Sequence, residues 1–305
     1  MAESKAARFA LPEHYDLART VGAIGFGHRD PTTAVQPDAI WRATRTAAGP
    51  ATLCLRVADG AAEVHAAGPG AAEAIALAPR LLGLADTPED LVPHTPFIRD
   101  LAHRFRGARL TAGLPVSEVI LPWILGQRVT YIEAKTSWAE LIEAHGEAAP
   151  VPSGFPAPPK PLRLLADPAG FGRRDPADLG RFGIDRARAA TLLDACRHHR
   201  YLDAAAALSP AEAHAKLLAL RGIGPWTAGH ALAVAMGDPD AVPIGDFHLP
   251  NTVGWALNRE VRADDARMLE LIEPWRGQRW RLLRLLILAG IRAPRFGPRR
   301  PPRRR

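Results

Sequence analysis

The sequence predicts a mostly α-helical protein with a small N-terminal α+β domain. Three observations carry this prediction. Strand-like segments are found only before residue 68, and helical patterns run from Thr95 to about residue 290. Residues 213–250 contain two apolar helical segments joined by a tight glycine turn. The 305 residues are 47% hydrophobic, which is enough to bury a sizeable core.

The N-terminal part is predicted to be a flexible arm over residues 1–11 and a small antiparallel sheet with a helix over residues 12–90. The helix covers residues 70–82 and ends near Gly83. Hairpin turns are expected at Gly49-Pro50 and at Asp59-Gly60. The strand-like segments lie at residues 15–27, 40–45, 51–57 and 61–67.

Residues 91–292 are predicted to form an all-helical domain. Thr95-Pro96 begins one helix, and Pro115 begins a longer one that continues towards Ala144. The proline-rich residues 148–161 are typical of an extended surface loop. Residues 293–305 are predicted to be a disordered tail because they contain mainly arginine and proline.

The glycine turn has clear signals on both sides. Ser209-Pro210 is typical of an N-cap followed by proline at the first helical position, and Gly224-Pro225 repeats that pattern. The second helix is expected to end at Gly237. A turn of this kind lets a backbone approach a ligand, and the N–H groups at the start of the second helix can bind a phosphate. Alone, such a glycine pattern indicates no more than a turn between two core helices.

Asp246 strengthens the functional interpretation of the turn. It lies 22 residues after Gly224 in the segment VPIGDFHLP, among apolar and aromatic neighbours. The simplest role for Asp246 is to cap a helix over residues 247–257. A capping carboxylate is also held rigidly and kept ionised, so the two roles are compatible.

These motifs resemble the helix-hairpin-helix DNA glycosylase superfamily. The hairpin LRGIGPWTA, followed by a loop with one aspartate, is most similar to the AlkA-type 3-methyladenine glycosylase II branch. The resemblance implies an enzyme of base excision repair that flips alkylated purines out of duplex DNA and hydrolyses the N-glycosidic bond. It spans residues 95–292 with specific motifs and residues 12–90 weakly.

The resemblance also implies roles for individual residues. Asp246 matches the catalytic aspartate; whether it activates water or only stabilises the sugar cation stays open. Trp226 matches an aromatic residue of the base pocket, with Trp123 and Tyr131 as further candidates. Arg128 follows Gln127 in a segment whose matching residue can enter the emptied helix, although an ordinary exposed arginine is the alternative. The expected DNA-binding residues are Gln127, Arg128, Arg221, Gly222, Ile223, Gly224 and Thr227.

No cofactor is expected apart from an alkali ion. The resemblance implies that carbonyls such as those of Leu218, Leu220 and Ile223 can hold such an ion in the hairpin. Cys54 and Cys196 have no metal-binding spacing, so neither zinc nor an iron–sulfur cluster is expected. They indicate no disulfide framework either, and a reducing compartment fits.

The charge of the chain is unevenly placed. The net charge is +7, and residues 292–305 alone hold seven arginines and no acidic residue. The net charge of the rest of the chain is therefore no indication of DNA binding. Neither a membrane-spanning run nor a signal peptide is visible, so we expect a cytoplasmic protein. The resemblance implies a nucleoid-associated monomer whose partner is damaged duplex DNA.

Two other functions stay open at this point. One is an oxidised-base glycosylase with lyase activity, which needs a nucleophilic lysine. Counting back from the hairpin, the residue at that position is Ala215, with Lys216 about 100° further round the helix. The other is a DNA-binding protein that has kept the hairpin without the chemistry, and the retained Asp246 argues against it.

Overall fold

The computed structural model describes residues 4–165 and 167–294. Its N-terminal half contains an antiparallel sheet of five strands in the order β1-β5-β4-β3-β2. A helix precedes the second strand and another follows the fifth. The elements are β1 (Ser4–Ala10), α1 (Leu17–Val21), β2 (Thr33–Val35), β3 (Ala39–Thr46), β4 (Gly49–Ala58), β5 (Ala61–Ala67) and α2 (Ala71–Leu81).

Two predictions for this region are wrong. Residues 4–10 are not an arm, because β1 pairs along its whole length with β5. Residues 15–27 are not a strand: α1 lies there, and the Asp16 carboxylate caps it by accepting a hydrogen bond from the Arg19 N–H at 2.8 Å. The three strands expected between residues 40 and 67 are confirmed.

The two hairpin turns behave differently. Asp59 and Gly60 both have positive φ, 48° and 68°, as a two-residue turn with right-handed strand twist requires. The predicted position of the β3–β4 turn is two residues too late, because Ala47 and Ala48 form it and Gly49 already pairs with Thr46. Glycine at position 49 still has a function, since its φ is 130°.

Both faces of the sheet are buried. Ile40, Leu53 and Leu55 face one way and join a core that continues into the helices. Trp41 and Cys54 face the other way and pack under residues 149–164, where the Trp41 indole donates a hydrogen bond to the Pro156 carbonyl at 2.9 Å. The proline-rich segment is therefore a cover for the sheet and not a free surface loop. It is bordered by a small ribbon, β6 (Gly146–Ala148) and β7 (Arg163–Leu165), so residues 91–292 are not entirely helical.

The remaining elements are helices. Those before the hairpin are α3 (Pro96–Arg104), α4 (Val116–Leu125), α5 (Tyr131–His145), α6 (Pro168–Phe171), α7 (Arg186–Arg197) and α8 (His199–Asp203). Those from the hairpin onward are α9 (Pro210–Leu218), α10 (Pro225–Ala231), α11 (Leu249–Asn258), α12 (Asp265–Ile272) and α13 (Arg279–Leu288).

The long helix predicted from Pro115 towards Ala144 is two helices. It is interrupted over residues 126–130, where Gly126 ends α4 and Arg128 has a φ of 58°. Thr130 then begins α5 with a capping box, in which Thr130 and Glu133 bond each other's backbone N–H groups. The break matters because it converts a continuous helix surface into an exposed loop.

No helix in the described part of the chain is both long and apolar enough to cross a lipid bilayer. The tail prediction concerns residues 293–305, of which 295–305 lie outside the described residues.

Candidate active site

The glycine hairpin connects α9 to α10. Ser209 and Glu212 form a capping box at the start of α9, and Pro225 occupies the first turn of α10, as the sequence predicts. A π-helical turn over Leu232–Met236 continues α10 to Gly237, whose φ of 68° ends it. Both helices of the hairpin thus have the expected limits.

Gly222 is the tightest point of the hairpin. Its φ is 86°, and a Cβ atom there would lie 2.1 Å from the Thr191 hydroxyl oxygen of α7. The turn is closed by a hydrogen bond of 3.1 Å from the Ile223 N–H to the Leu220 carbonyl. Glycine is therefore required at position 222 for both conformation and space.

Asp246 is held by groups from three segments. Its Oδ1 accepts hydrogen bonds from the backbone N–H groups of His248 and Leu249, at 2.8 and 2.9 Å, so it caps α11. Its Oδ2 accepts a hydrogen bond of 2.9 Å from the indole N–H of Trp226. The preceding Gly245 donates its N–H to Asp265 at 3.0 Å, which fixes the loop from the other side.

These contacts keep Asp246 ionised. Its side chain is only 18% exposed, and burial alone would raise its pKa. The neighbouring His230 imidazole, the Trp226 N–H and the two backbone N–H groups outweigh burial and hold the pKa of Asp246 far below its ordinary value. The result is a fixed negative charge at neutral pH.

An aromatic cluster is joined to this carboxylate through Trp226. The Trp226 ring meets Trp123 edge to face at 5.8 Å, and Phe26 meets Trp123 at 5.5 Å and Tyr131 at 5.1 Å. The three pocket residues expected from the sequence therefore lie in one connected cluster. Trp226 and Trp123 are half-buried, whereas Tyr131 is exposed.

Three members of the cluster were not expected from the sequence. Phe26 links Trp123 to Tyr131, His230 stacks face to face on Trp123 at 3.8 Å, and Trp280 meets His230 edge to face at 6.3 Å. They come from the loop after α1, from α10 and from α13. Of the three, only His230 could have been placed near the site from the sequence, because it lies one turn after Trp226 on the same helix.

Gln127 connects the loop of residues 126–130 to the hairpin. Its side-chain amide donates to the Gly222 carbonyl at 2.9 Å and to the Thr227 hydroxyl at 3.0 Å. Thr227 and Ile223 are buried, so neither side chain lies on the surface of the hairpin. Of the predicted DNA contacts in the hairpin, Arg221 and Gly222 are exposed and Gly224 is half-buried.

Arg128 is exposed at the tip of the loop, next to the anchored Gln127. Its left-handed φ is unusual for a side chain of this size and costs about 1 kcal/mol or more. The surrounding contacts therefore impose this conformation.

The prediction that Ala215 occupies the position of the nucleophilic lysine of a lyase is wrong. Ala215 is exposed on α9, and the hairpin side chain that reaches Asp246 is that of Trp226. Lys216 instead places its ammonium over the Tyr201 ring, 3.6 Å from the ring centre. Position 226, from which a side chain reaches Asp246, holds an indole and not a lysine.

The predicted alkali-ion site stays a prediction. The Leu220 carbonyl accepts the Ile223 N–H, which leaves one lone pair for a cation. Carbonyl oxygens at the hairpin, those of Leu218, Leu220 and Ile223, are suitable donors for such an ion.

The chain is similar in sequence to known DNA repair proteins. No family model matches the chain. It is 29% identical over 180 residues to a probable bifunctional transcriptional activator/DNA repair enzyme AlkA of Mycobacterium tuberculosis, covering 56% of this chain and 34% of that protein. It is 25% identical over 206 residues to the DNA-3-methyladenine glycosylase of Bacillus subtilis, covering 63% and 64%. The chain thus spans less than two thirds of either relative.

The fold has solved counterparts. The 3-methyladenine DNA glycosylase of Archaeoglobus fulgidus superposes with a TM-score of 0.77 over 93% of this chain and 98% of that one, at 18% identity. The chain is thus similar in sequence to proteins named AlkA and DNA-3-methyladenine glycosylase, and it shares the fold of a solved 3-methyladenine DNA glycosylase.

Proposed function

We propose that this protein is a monofunctional DNA glycosylase that excises alkylated purines from duplex DNA by hydrolysis of the N-glycosidic bond. The observation that carries the proposal is Asp246, an ionised carboxylate held rigidly beside an aromatic cluster. Relatives of the chain are named AlkA and DNA-3-methyladenine glycosylase. The expected bases are of the 3-methyladenine and 7-methylguanine type.

The chemistry suits a fixed carboxylate. As the base leaves, positive charge develops on the deoxyribose, and a charge already in place stabilises the transition state without reorganisation. The effect is larger where water is excluded, as around the largely buried Asp246. The same carboxylate can orient the water that attacks the sugar.

The aromatic cluster suits the leaving base. An alkylated purine carries positive charge, so it is a good leaving group and stacks favourably on electron-rich rings such as Trp226. Flipping a base costs a few kcal/mol of stacking and pairing, which a ring and a nearby anion help to recover. The cluster and Asp246 thus favour the same kind of base.

The hairpin supplies the proposed DNA-binding surface. The first N–H groups of α10 have no partner inside the helix, and Arg221 is exposed beside them. Gly222 is exposed, so a phosphate can approach its backbone. We propose a monomer that binds duplex DNA through this surface and acts in the nucleoid.

The lyase alternative needs an amine at the reacting sugar. Trp226 takes the place beside Asp246, and Lys216 is engaged with Tyr201. Wild-type protein incubated with methylated duplex DNA should therefore release free 3-methyladenine and 7-methylguanine and leave intact abasic sites. Chromatography of the released bases and a gel assay for strand cleavage measure both. Unmodified DNA is the control, and an absence of released bases would contradict the proposal.

We expect Arg128 to help hold the extruded state. Arg128→Ala should slow excision from a paired lesion by about tenfold, the scale of one hydrogen bond removed, and slow it less when the lesion lies opposite an abasic gap. The difference arises because the gap leaves less stacking to replace. Single-turnover rates on the two duplexes measure it.

Arg221→Ala is the matched control, because Arg221 is also exposed but lies on the hairpin. It should slow both substrates alike. If Arg128→Ala does the same, Arg128 is an ordinary phosphate-binding residue.

The tail prediction rests on charge. Deleting residues 295–305 removes six arginines and should weaken DNA binding at low salt. The slope of log K against log salt should fall by about 0.9 for each phosphate that the tail no longer neutralises. Excision at saturating enzyme should change little. Replacing the six arginines by glutamine keeps the length and should reproduce the effect; an unchanged slope would assign the tail to something else.

A further inference from the structure

His230 is a buried imidazole that the proposed chemistry does not yet use. Its side chain is 9% exposed, and within the described residues neither ring nitrogen has a hydrogen-bond partner. Its Nε2 lies 3.8 Å from Oδ2 of Asp246, just beyond hydrogen-bond distance. Stacking on Trp123 keeps the ring in that place.

A buried polar group without a partner is unfavourable and needs an explanation. A shift of about 1 Å would bring Nε2 to within hydrogen-bond distance of Oδ2. The arrangement therefore has a second state close by, in which the imidazole and the carboxylate are paired. Protonation of the imidazole would strongly favour that second state, because Asp246 is the charged group that faces it.

We propose that His230 is a positioning residue that controls Asp246 through its own protonation. The neutral imidazole, 3.8 Å away, makes only a weak electrostatic contact with Oδ2 and leaves its charge available to the sugar. When Nε2 and Nδ1 both carry protons, the imidazolium pairs with Oδ2 and withdraws that charge. The inference rests on the proposed function and adds a means by which pH sets the strength of the site.

The surroundings of His230 determine where this occurs. From α4, α10 and α13 it meets the indoles of Trp123, Trp226 and Trp280, none of which titrates. Burial lowers the pKa of His230 below its ordinary value, and Asp246 opposes this only in part. The imidazolium therefore forms below about pH 6.5, the ordinary pKa of histidine. Asp246 is still ionised there, because its own pKa is lower.

The test is the pH dependence of single-turnover excision of 7-methylguanine, measured from about pH 4.5 to 8 around the ordinary histidine pKa and corrected for uncatalysed depurination. The wild-type rate should fall by about tenfold or more on the acid side, less than the loss from removing the charge outright. His230→Phe keeps a ring on Trp123 but cannot take up a proton. Its acid limb should move to lower pH, whatever its plateau rate. An acid limb at the same pH in both proteins would overturn the proposal.

A second measurement needs no activity. Titration of the His230 ring followed by NMR should give a lower pKa in Asp246→Asn than in the wild type, because the opposing charge is gone. Equal values would show that the two groups do not interact and would overturn the proposal. Failure of the wild type to release any base would count against the proposed function, and the titration would still decide whether His230 and Asp246 are coupled.

Discussion

Asp246→Asn is expected to lower the rate of methylpurine excision by about 10²- to 10³-fold, the usual cost of removing one electrostatic interaction from a transition state. Asparagine can still accept the N–H groups of His248 and Leu249, so the cap of α11 should survive. The missing element is the charge that faces the sugar. Single-turnover release of 7-methylguanine measures the change.

Trp226→Phe is a matched control for one side effect of Asp246→Asn. In Asp246→Asn the side-chain NH₂ group faces the indole N–H of Trp226, so the hydrogen bond between the two residues is lost. Trp226→Phe removes the same hydrogen bond while it keeps the carboxylate, so its loss in rate should be smaller. Binding of Asp246→Asn to a stable abasic-site analogue should persist, since a repulsion with phosphates is gone. Excision at the wild-type rate by Asp246→Asn, or a covalent complex trapped by borohydride in the wild type, would sink this mechanism.

Asp86→Ala is expected to lower the free energy of unfolding by about 3–5 kcal/mol, because it leaves a buried cation without its partner. Asp86 and Arg281 are 8% and 6% exposed, and the aspartate also accepts the Leu110 N–H at 2.9 Å. The pair links the segment after α2 to α13. The midpoint of denaturant unfolding, followed by circular dichroism, measures the loss.

Glu273→Ala removes a pair of the same type at the surface, where Arg276 and Glu273 are 68% and 49% exposed. Such pairs contribute about 0–1 kcal/mol. If the two substitutions cost the same, the Asp86 pair is not the buried link described above.

The hairpin helices could be predicted from the sequence because their ends are set by neighbouring residues. Ser209, Pro210 and Glu212 begin α9, and Gly224 and Pro225 begin α10. The strand β1 could not be predicted in this way. It forms because β5, more than fifty residues later, offers a free edge, and its own burial pattern alternates only weakly.

The same distinction holds for the site. Asp246 and Trp226 stand in a recognisable motif, and their contact follows from the hairpin that joins them. Phe26 and Trp280 meet the cluster from opposite ends of the chain, so only the packed fold reveals them. For residues 126–130 the local sequence predicts the wrong structure. Their apolar flanks favour one long helix, and the break reflects the contacts of Gln127 with the hairpin.

The Gln127 bridge has an energetic consequence for recognition. A loop that becomes ordered only when its ligand arrives gives up conformational entropy at that moment, and its affinity falls accordingly. Residues 126–130 are already joined to the turn at Gly222 and Thr227, so this ordering is completed during folding. The turn at Gly222 and the loop tip then keep a constant separation, so the surface proposed to bind DNA is already ordered before DNA arrives.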